Sequence, residues 1–341
     1  MRAAALAAAL ALGACAAAGP PAPPTAPERA AATAYLRALP PLPAGWRAGR
    51  FEAAPGVALE TGRLAARGPR RGTVVFVPGY TAPLELYARE FERLAAAGWD
   101  VAALSPRGQG RSGGAAPGRG GTGYDDLTND LAAFVGEQRG PVAVVAVSMG
   151  AHVALRLAAE RRADLAAVAA LVPMVAIRTG PAPRPLVRAL AGAAVGLGAG
   201  GRAVPGSGRW SGASFFDDPA RAARTTPCND DPARAHLRTA LATVDPALDV
   251  APPTYRFVAE TLASGRRLER LAPRIEAPLL VVTAGEDQVV DTEAAARLCD
   301  AVAACTRRHL PDAPHCAVEG DPPEAAAITG AVAAFLAGAA R

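Results

Sequence analysis

The sequence predicts an α/β fold, in which a mostly parallel central sheet is flanked by helices and carries a helical insertion. From about residue 73, short Val-rich runs alternate with segments of helical periodicity, as in parallel strands joined by crossover helices. The chain has 341 residues, 51% of them hydrophobic and 20% charged, which suits one large globular domain. Between residues 174 and 271 the alternation stops, which indicates an insertion.

The first half of the predicted domain spans residues 35–173. Its apolar runs predict buried strands, at 73–79, from 99 into the loop that ends at 110, at 141–147 and at 165–173. Its amphipathic stretches predict helices, at 83–98, at about 124–138 and after Ser148 to about residue 162. A second parallel unit begins at 277–287, within the second half of the domain, residues 272–341.

The insertion, residues 174–271, opens with Pro/Gly-rich segments such as TGPAPRP and GAGGRAVPGSGRW. Helical stretches follow at around 232–244 and 253–264. Because about 100 residues are too many for a simple loop, we expect a cap over the carboxyl ends of the strands. Ligands bind at those ends in open α/β sheets.

The amino terminus, MRAAALAAALALGACAAAG, has the form of a secretory signal, with a positive start and a short apolar run. The run is shorter than the roughly 20 residues that a membrane-spanning helix needs. Cys15 follows Leu-Gly-Ala as in a bacterial lipobox, so we expect a signal peptide at 1–14 and a lipidated Pro/Ala-rich tether at 15–34. This predicts an exported, lipid-anchored protein of the bacterial cell envelope that faces the periplasm. An ordinary signal peptide with an incidental cysteine is the alternative.

Charge and motifs exclude several classes of function. All 36 basic residues are arginines and the net charge is only +5, and the arginines are scattered, so nucleic-acid binding is not supported. The sequence has no metal-ligand cluster, phosphate-cradling glycine loop or dinucleotide fingerprint. We therefore predict no metal and no cofactor.

A nucleophile is indicated by VVAVSMGAH, residues 144–152, in which an apolar strand ends in Ser148-Met-Gly. The motif G-x-S-x-G places a serine on a strained turn between strand and helix. Here Ala146 stands in place of the first glycine.

The acid and the base of a catalytic triad are expected in the order Ser, acid, His on later loops. Asp287 follows the strand LLVVTAG and His315 lies in DAPHCAVE, so both occur where that order requires. Alternatives remain for each residue. Asp287 could be a turn or helix-cap residue, as could Asp291, and the other histidines are His152, His236 and His309.

About residues 50–338 resemble the alpha/beta hydrolases of the bacterial lysophospholipase and monoacylglycerol lipase group, often labelled serine-aminopeptidase-like. The segments that carry the resemblance are VPGYTAPLELY, PRGQGRS, AVSMGAHVALR, PTY and DPAR in the insertion, AGEDQVV and PHCAVE. The resemblance implies an alpha/beta-hydrolase fold, a triad of Ser148, Asp287 and His315, and Glu319 as a supporting residue. Pro78, Ala146 and Cys316 depart from the group's pattern of His, Gly and Glu.

The chemistry of acyl transfer requires an oxyanion hole. We assign its two donors to the backbone N–H groups of Met149, after the nucleophile, and of Tyr80, in the loop after the first central strand. The expected function is hydrolysis of single-chain acyl glycerolipids, lysophospholipids first and monoacylglycerols second. A peptidase-like or other small-ester hydrolase and a non-catalytic envelope binding protein are the alternatives.

Four cysteines remain if Cys15 is lipidated, and an exported protein meets an oxidising compartment. Cys299 and Cys305 are separated by a short turn, so we expect them to form a disulfide. Cys228 and Cys316 either form a bridge that joins cap to core or remain two buried thiols, and the sequence slightly favours the thiols.

Overall fold

The computed structural model describes residues 23–205, 228 and 231–339. The predicted signal peptide, Cys15 and the first part of the predicted tether lie outside these residues. So does much of the stretch between 206 and 230 in the predicted insertion.

An eight-stranded sheet forms the centre of the described structure, with the strand order β1-β2-β4-β3-β5-β6-β7-β8. The strands β1 and β2 and the pair β2 and β4 run antiparallel, and all other neighbours are parallel. The bounds are β1 Arg47–Ala54, β2 Val57–Leu64, β3 Gly72–Val77, β4 Trp99–Leu104, β5 Val142–Val147, β6 Ala167–Leu171, β7 Leu279–Ala284 and β8 Cys305–Leu310.

Helices cover both faces of the sheet. Their bounds are α1 Ala26–Tyr35, α2 Ala88–Ala96, α3 Tyr124–Gly136, α4 Met149–Ala159, α5 Arg184–Gly196, α6 Leu237–Val244, α7 Tyr255–Leu271, α8 Thr292–Asp300 and α9 Ala325–Ala339. Single turns of 3-10 helix lie at Leu36–Ala38, Leu84–Tyr87, Pro246–Leu248 and Ala272–Arg274.

The core follows from the alternation of side chains along the strands, which sends successive residues to opposite faces. Val144 and Ala146 of β5 face the cluster that contains α3, α4 and α8. Val145 and Val147 face the cluster that contains α2 and α9. Every residue of β5 is buried, as expected for a parallel strand covered on both sides.

Two parts of the amino-terminal region differ from the sequence-based expectations. The antiparallel strands β1 and β2 were not predicted. The helix α1 lies mostly within residues 15–34, where the Pro/Ala-rich composition predicts a tether. It begins at a capping box, in which Thr25 and Glu28 bond each other's backbone N–H groups, and a run of alanines favours its continuation.

Three described helices, α5, α6 and α7, lie between β6 and β7, within the predicted insertion. The two expected helical stretches correspond to α6 and α7, although α7 continues seven residues further, to Leu271. Among the described residues, no helix has the length and hydropathy needed to cross a membrane.

The described residues contain two disulfides. Cys299 and Cys305 are bonded between α8 and β8, with a Cα–Cα distance of 5.5 Å. Cys228 and Cys316 are also bonded, with a Cα–Cα distance of 5.2 Å, which corrects the expectation of two free thiols. The N–H of Cys316 donates to the carbonyl of Cys228 at 2.9 Å, so the two backbones lie side by side.

A buried carboxyl in α2 predicts a specific dependence of stability on pH. Glu90 is 2% exposed, and burial raises its pKa from 4.5 to about 8, despite the neighbouring Arg93. A raised pKa in the folded state means that the protein loses stability as the pH rises from 4.5 through about 8. The difference between these two pKa values sets an upper limit of roughly 5 kcal/mol on that loss.

We therefore expect Glu90→Gln to be more stable than the wild type at pH 9 and to differ little at pH 5. Urea unfolding at pH 5, 7 and 9 measures the free energy of unfolding of both proteins. Glu92→Gln, at a partly exposed position of the same helix, is the control. If Glu90→Gln stabilised the protein by the same amount at pH 5 and at pH 9, the assignment would be contradicted.

Candidate active site

Ser148 occupies a sharp turn between β5 and α4. Its φ is +52°, a left-handed conformation that a non-glycine residue adopts only where the surrounding structure imposes it. Two backbone hydrogen bonds impose it here: the N–H of Ser148 donates to Leu171 at 2.9 Å, and its carbonyl accepts from Met174 at 3.1 Å. Both partners belong to β6 or the loop after it.

Small residues around Ser148 let the chain pass through this turn. A Cβ at Gly150 would lie 2.4 Å from the carbonyl oxygen of Pro78, so the start of α4 can approach β3 only with glycine there. Ala146 is fully buried and pairs with Val77 and Ala170 on the neighbouring strands. The sheet therefore accommodates a methyl group where the motif usually has its first glycine.

A continuous chain of hydrogen bonds joins the three residues that the sequence predicted as a triad. The Nε2 atom of His315 lies 3.0 Å from the Oγ atom of Ser148. Its Nδ1 atom lies 2.7 Å from Oδ2 of Asp287. All three residues are buried, at 7% exposure or less. The arrangement can remove a proton from the serine and stabilise the imidazolium that results.

Asp287 is fixed in the loop after β7 by its other oxygen. Oδ1 accepts the N–H groups of Val289 and Val290 at 2.8 and 2.9 Å, so the carboxylate also serves as a turn residue. Asp291, the alternative acid, caps α8 and accepts from Glu293 and Ala294. The two aspartates thus have separate positions, and only Asp287 bonds His315.

The other three histidines lie on other elements or make other contacts. His152 is completely buried one turn further along α4, and its ring contacts Ser264 and the carbonyl of Met174. Burial, and then the charge of Arg156, lowers the pKa of His152 to about 3, so it stays neutral. His309 bonds Thr283 on β7, and His236 precedes α6.

The two predicted oxyanion donors lie in segments that flank the serine. Met149 is the first residue of α4, where the backbone N–H groups have no partner within the helix. Tyr80 follows Gly79, at which a Cβ would lie 3.3 Å from Cβ of Ser148. The loop after β3 therefore passes beside the nucleophile. This arrangement can present two donors to a carbonyl oxygen.

Glu319, expected to support the site, lies behind the histidine loop. It accepts the hydroxyl of Tyr87 at 3.0 Å and the guanidinium Nε of Arg238 at 2.9 Å. Its backbone N–H donates to Cys316 at 3.0 Å. Glu319 therefore links the loop that carries His315 to the 3-10 turn that precedes α2 and to the insertion.

The sequence predicts no role for two polar residues near the site, Gln109 and Arg238. Gln109 lies in PRGQGRS and is fully buried. It contacts the loop that follows β3 and contains Tyr80 and Thr81, called the Tyr80 loop below. Arg238 extends from α6 to the same loop. The first could have been suspected from its position in a quoted motif, whereas the second is one of 36 arginines with no local signal.

Within the part of the chain that the structure describes, one group of three potential metal ligands is close enough to share an ion, namely Cys228, Cys316 and Glu319. Thiolates are the form in which cysteines bind metals, and both sulfurs here are joined in a disulfide. This group does not fit a metal site.

The sheet, the strand-to-helix elbow and the Ser–His–Asp arrangement define the class of the protein as an alpha/beta hydrolase. The chain belongs to the Hydrolase_4 family, described as serine aminopeptidase, S33, whose sequence profile matches residues 68–321. No curated protein matches the chain significantly in sequence.

Solved structures share the fold at low sequence identity. A monoacylglycerol lipase from Paleococcus ferrophilus is 23% identical, with a TM-score of 0.63 and coverage of 82% of this chain and 99% of that one. A soluble variant of monoglyceride lipase from Saccharomyces cerevisiae is 15% identical, with a TM-score of 0.65 and coverage of 89% and 97%. A carboxyl esterase from Bacillus coagulans is 15% identical, with a TM-score of 0.61 and coverage of 88% and 100%.

Proposed function

We propose that the protein is a serine ester hydrolase that cleaves single-chain acyl glycerolipids through an acyl-enzyme intermediate. The observation that carries the proposal is the hydrogen-bonded chain from Ser148 Oγ through His315 to Asp287 at a strained elbow.

In the proposed reaction, Ser148 Oγ bonds to the ester carbonyl carbon while His315 Nε2 takes the hydroxyl proton. The carbonyl oxygen becomes an oxyanion, which the N–H groups of Tyr80 and Met149 stabilise. The intermediate then expels the alcohol, which receives the proton from His315, and Ser148 is left acylated. A water molecule, deprotonated by His315, then attacks the acyl carbon. The bond from that carbon to Ser148 Oγ breaks, Oγ takes the proton back from His315, and the fatty acid is released.

The proposed substrate class rests on the insertion and on the fold neighbours. The insertion contacts Tyr80 at two points: Tyr80 Oη donates a hydrogen bond to the carbonyl of Ala251, before α7, and the Tyr80 ring packs against that of Phe257 in α7. A cap so close to the nucleophile suits a substrate with one acyl chain better than a diacyl lipid. Two of the similar structures are monoacylglycerol lipases.

We also propose that the enzyme is exported and anchored in the bacterial cell envelope through a lipid on Cys15, on the periplasmic side. Support comes from the sequence alone, in the apolar leader and the Leu-Gly-Ala-Cys segment. A lipid anchor would hold the catalytic domain near the membrane that contains its substrates.

The substrate proposal is tested with four compounds: fatty-acid release is measured for lysophosphatidylethanolamine, monoolein and a diacyl phospholipid, and amine release is measured for an aminoacyl amide. We expect turnover of the first two to exceed that of the diacyl lipid and the amide by at least about tenfold, because the cap restricts the acyl site. A preference for the amide would support a peptidase, and a preference for the diacyl lipid would contradict the single-chain site. The Ser148→Ala variant measures the background.

A further inference from the structure

The peptide bond between Tyr80 and Thr81 is held at both of its polar ends by side chains. It directly follows the peptide whose N–H, that of Tyr80, is the proposed oxyanion donor. Thr81 has a φ of +62°, which is unfavourable for a β-branched residue. Such a conformation costs about 1–3 kcal/mol and persists only where neighbouring groups impose it.

Gln109 holds the N–H end of this peptide. Its Oε1 accepts the N–H of Thr81 at 2.7 Å. Its Nε2 donates to the carbonyl of Gly108 at 3.0 Å, which fixes the orientation of the amide. Gln109 is fully buried, so its side chain has little freedom to turn away.

Arg238 holds the carbonyl end. Its Nη1 donates to the carbonyl oxygen of Tyr80 at 3.2 Å and to Oγ1 of Thr81 at 3.1 Å. The guanidinium is itself fixed by Glu319, which accepts its Nε at 2.9 Å, and by Sγ of Cys316 at 3.2 Å. Arg238 therefore connects the Tyr80 loop to the loop that carries His315.

We propose that Gln109 and Arg238 are positioning residues that fix the direction of the Tyr80 N–H by holding the Tyr80–Thr81 peptide from its two ends. The inference rests on the proposed function, because the N–H matters only if an oxyanion forms beside Ser148. Oxyanion stabilisation depends on donors that are oriented before the reaction. Arg238 belongs to α6 of the insertion. The position of α6 on the core therefore determines the orientation of the Tyr80 N–H, one of the two proposed oxyanion donors.

The test compares Gln109→Met, Arg238→Met and Arg238→Lys with the wild type, using a short-chain p-nitrophenyl ester and an alkyl boronic acid that adds to Ser148. Active sites are counted with a fluorophosphonate, so that rates refer to folded enzyme. We expect both methionine variants to lose roughly 10- to 100-fold in kcat, with KM changed less than about threefold. Their affinity for the boronic acid should fall by a similar factor, because its bound oxygen occupies the oxyanion position.

Two further variants separate positioning from a structural role. Arg238→Lys can still donate to Tyr80 and should recover part of the lost kcat. Arg234→Met is the matched control: Arg234 comes from the same segment and donates to Gly320, next to Glu319, at 3.3 Å. It should retain kcat within about twofold, because its contacts leave the Tyr80–Thr81 peptide untouched. The double variant Gln109→Met/Arg238→Met should lose less than the product of the single losses, because both side chains hold one peptide.

An unchanged kcat and boronic-acid affinity in both methionine variants would overturn the proposal. An equal loss in Arg234→Met, or a change in KM alone, would overturn it too, since either would indicate cap docking. A wild-type protein that neither hydrolyses esters nor reacts with the fluorophosphonate would refute the proposed function itself. These failures are therefore distinguishable.

Discussion

Replacing Ser148 with alanine is expected to reduce ester hydrolysis by about 10⁴-fold or more, to the background left by binding and the oxyanion donors. The change removes one oxygen at the elbow and leaves the hydrogen bonds of its backbone to Leu171 and Met174 in place. The variant should therefore fold, and circular dichroism and thermal unfolding verify this.

His315→Ala should cost about as much activity as Ser148→Ala, because the serine is a weak nucleophile without its base. The double variant should be little worse than either single variant, since the triad acts as a unit. Steady-state rates on monoolein measure all three proteins. If the fold-reduction of the rate in the double variant equalled the product of the two single fold-reductions, the two residues would act independently, which would contradict the triad.

Asp287→Asn is expected to lower kcat by roughly 10⁴-fold at neutral pH, with the fold preserved. The N–H groups of Val289 and Val290 both donate to Oδ1, so an asparagine must place its carbonyl oxygen there. Its NH₂ group then faces His315 Nδ1. The imidazole must accept at Nδ1 and carry its proton on Nε2, where it cannot take the proton of Ser148.

Kinetics across pH 6 to 9 measure this effect, with Asp291→Asn as the control. Asp291 caps α8 through its own contacts with Glu293 and Ala294, so its replacement should affect stability more than kcat. Equal losses of kcat in the two asparagine variants would contradict the assignment of Asp287.

The central strands and the order of the site residues could be predicted from the sequence for a physical reason. Parallel strands covered on both faces are continuous apolar runs, as in VAVVAV of β5. The carboxyl ends of such strands meet at one edge of the sheet, which is why Ser148 and Asp287 could be expected near each other.

The antiparallel pair β1 and β2 could not be predicted in the same way, because β1 has no continuous apolar run. It reads RAGRFEAA, and its first four residues are exposed. The helix α1 lies in a segment whose Pro/Ala-rich composition predicts a tether, although Thr25 and Glu28 there form a capping box that favours a helix. Both errors concern segments at the periphery, where burial leaves little pattern in the sequence.

The roles of the residues around the Tyr80 loop could not be predicted for a different reason. Gln109 and Arg238 bond main-chain atoms of Tyr80 and Thr81, and a backbone N–H or carbonyl has no residue signature. Arg238 is 158 residues away from Tyr80, and Cys228 is 88 residues away from Cys316. Contacts of this kind arise from the packing of the insertion onto the core.

The most direct test of the central claim is the mass of the intact protein after reaction with a fluorophosphonate, followed by peptide mapping. A serine nucleophile activated by His315 and Asp287 should gain the mass of one probe, located on Ser148. The Ser148→Ala variant should gain none, and His315→Ala should react far more slowly. Labelling at another residue, or a wild type that hydrolyses monoolein while remaining unlabelled at Ser148, would contradict the account.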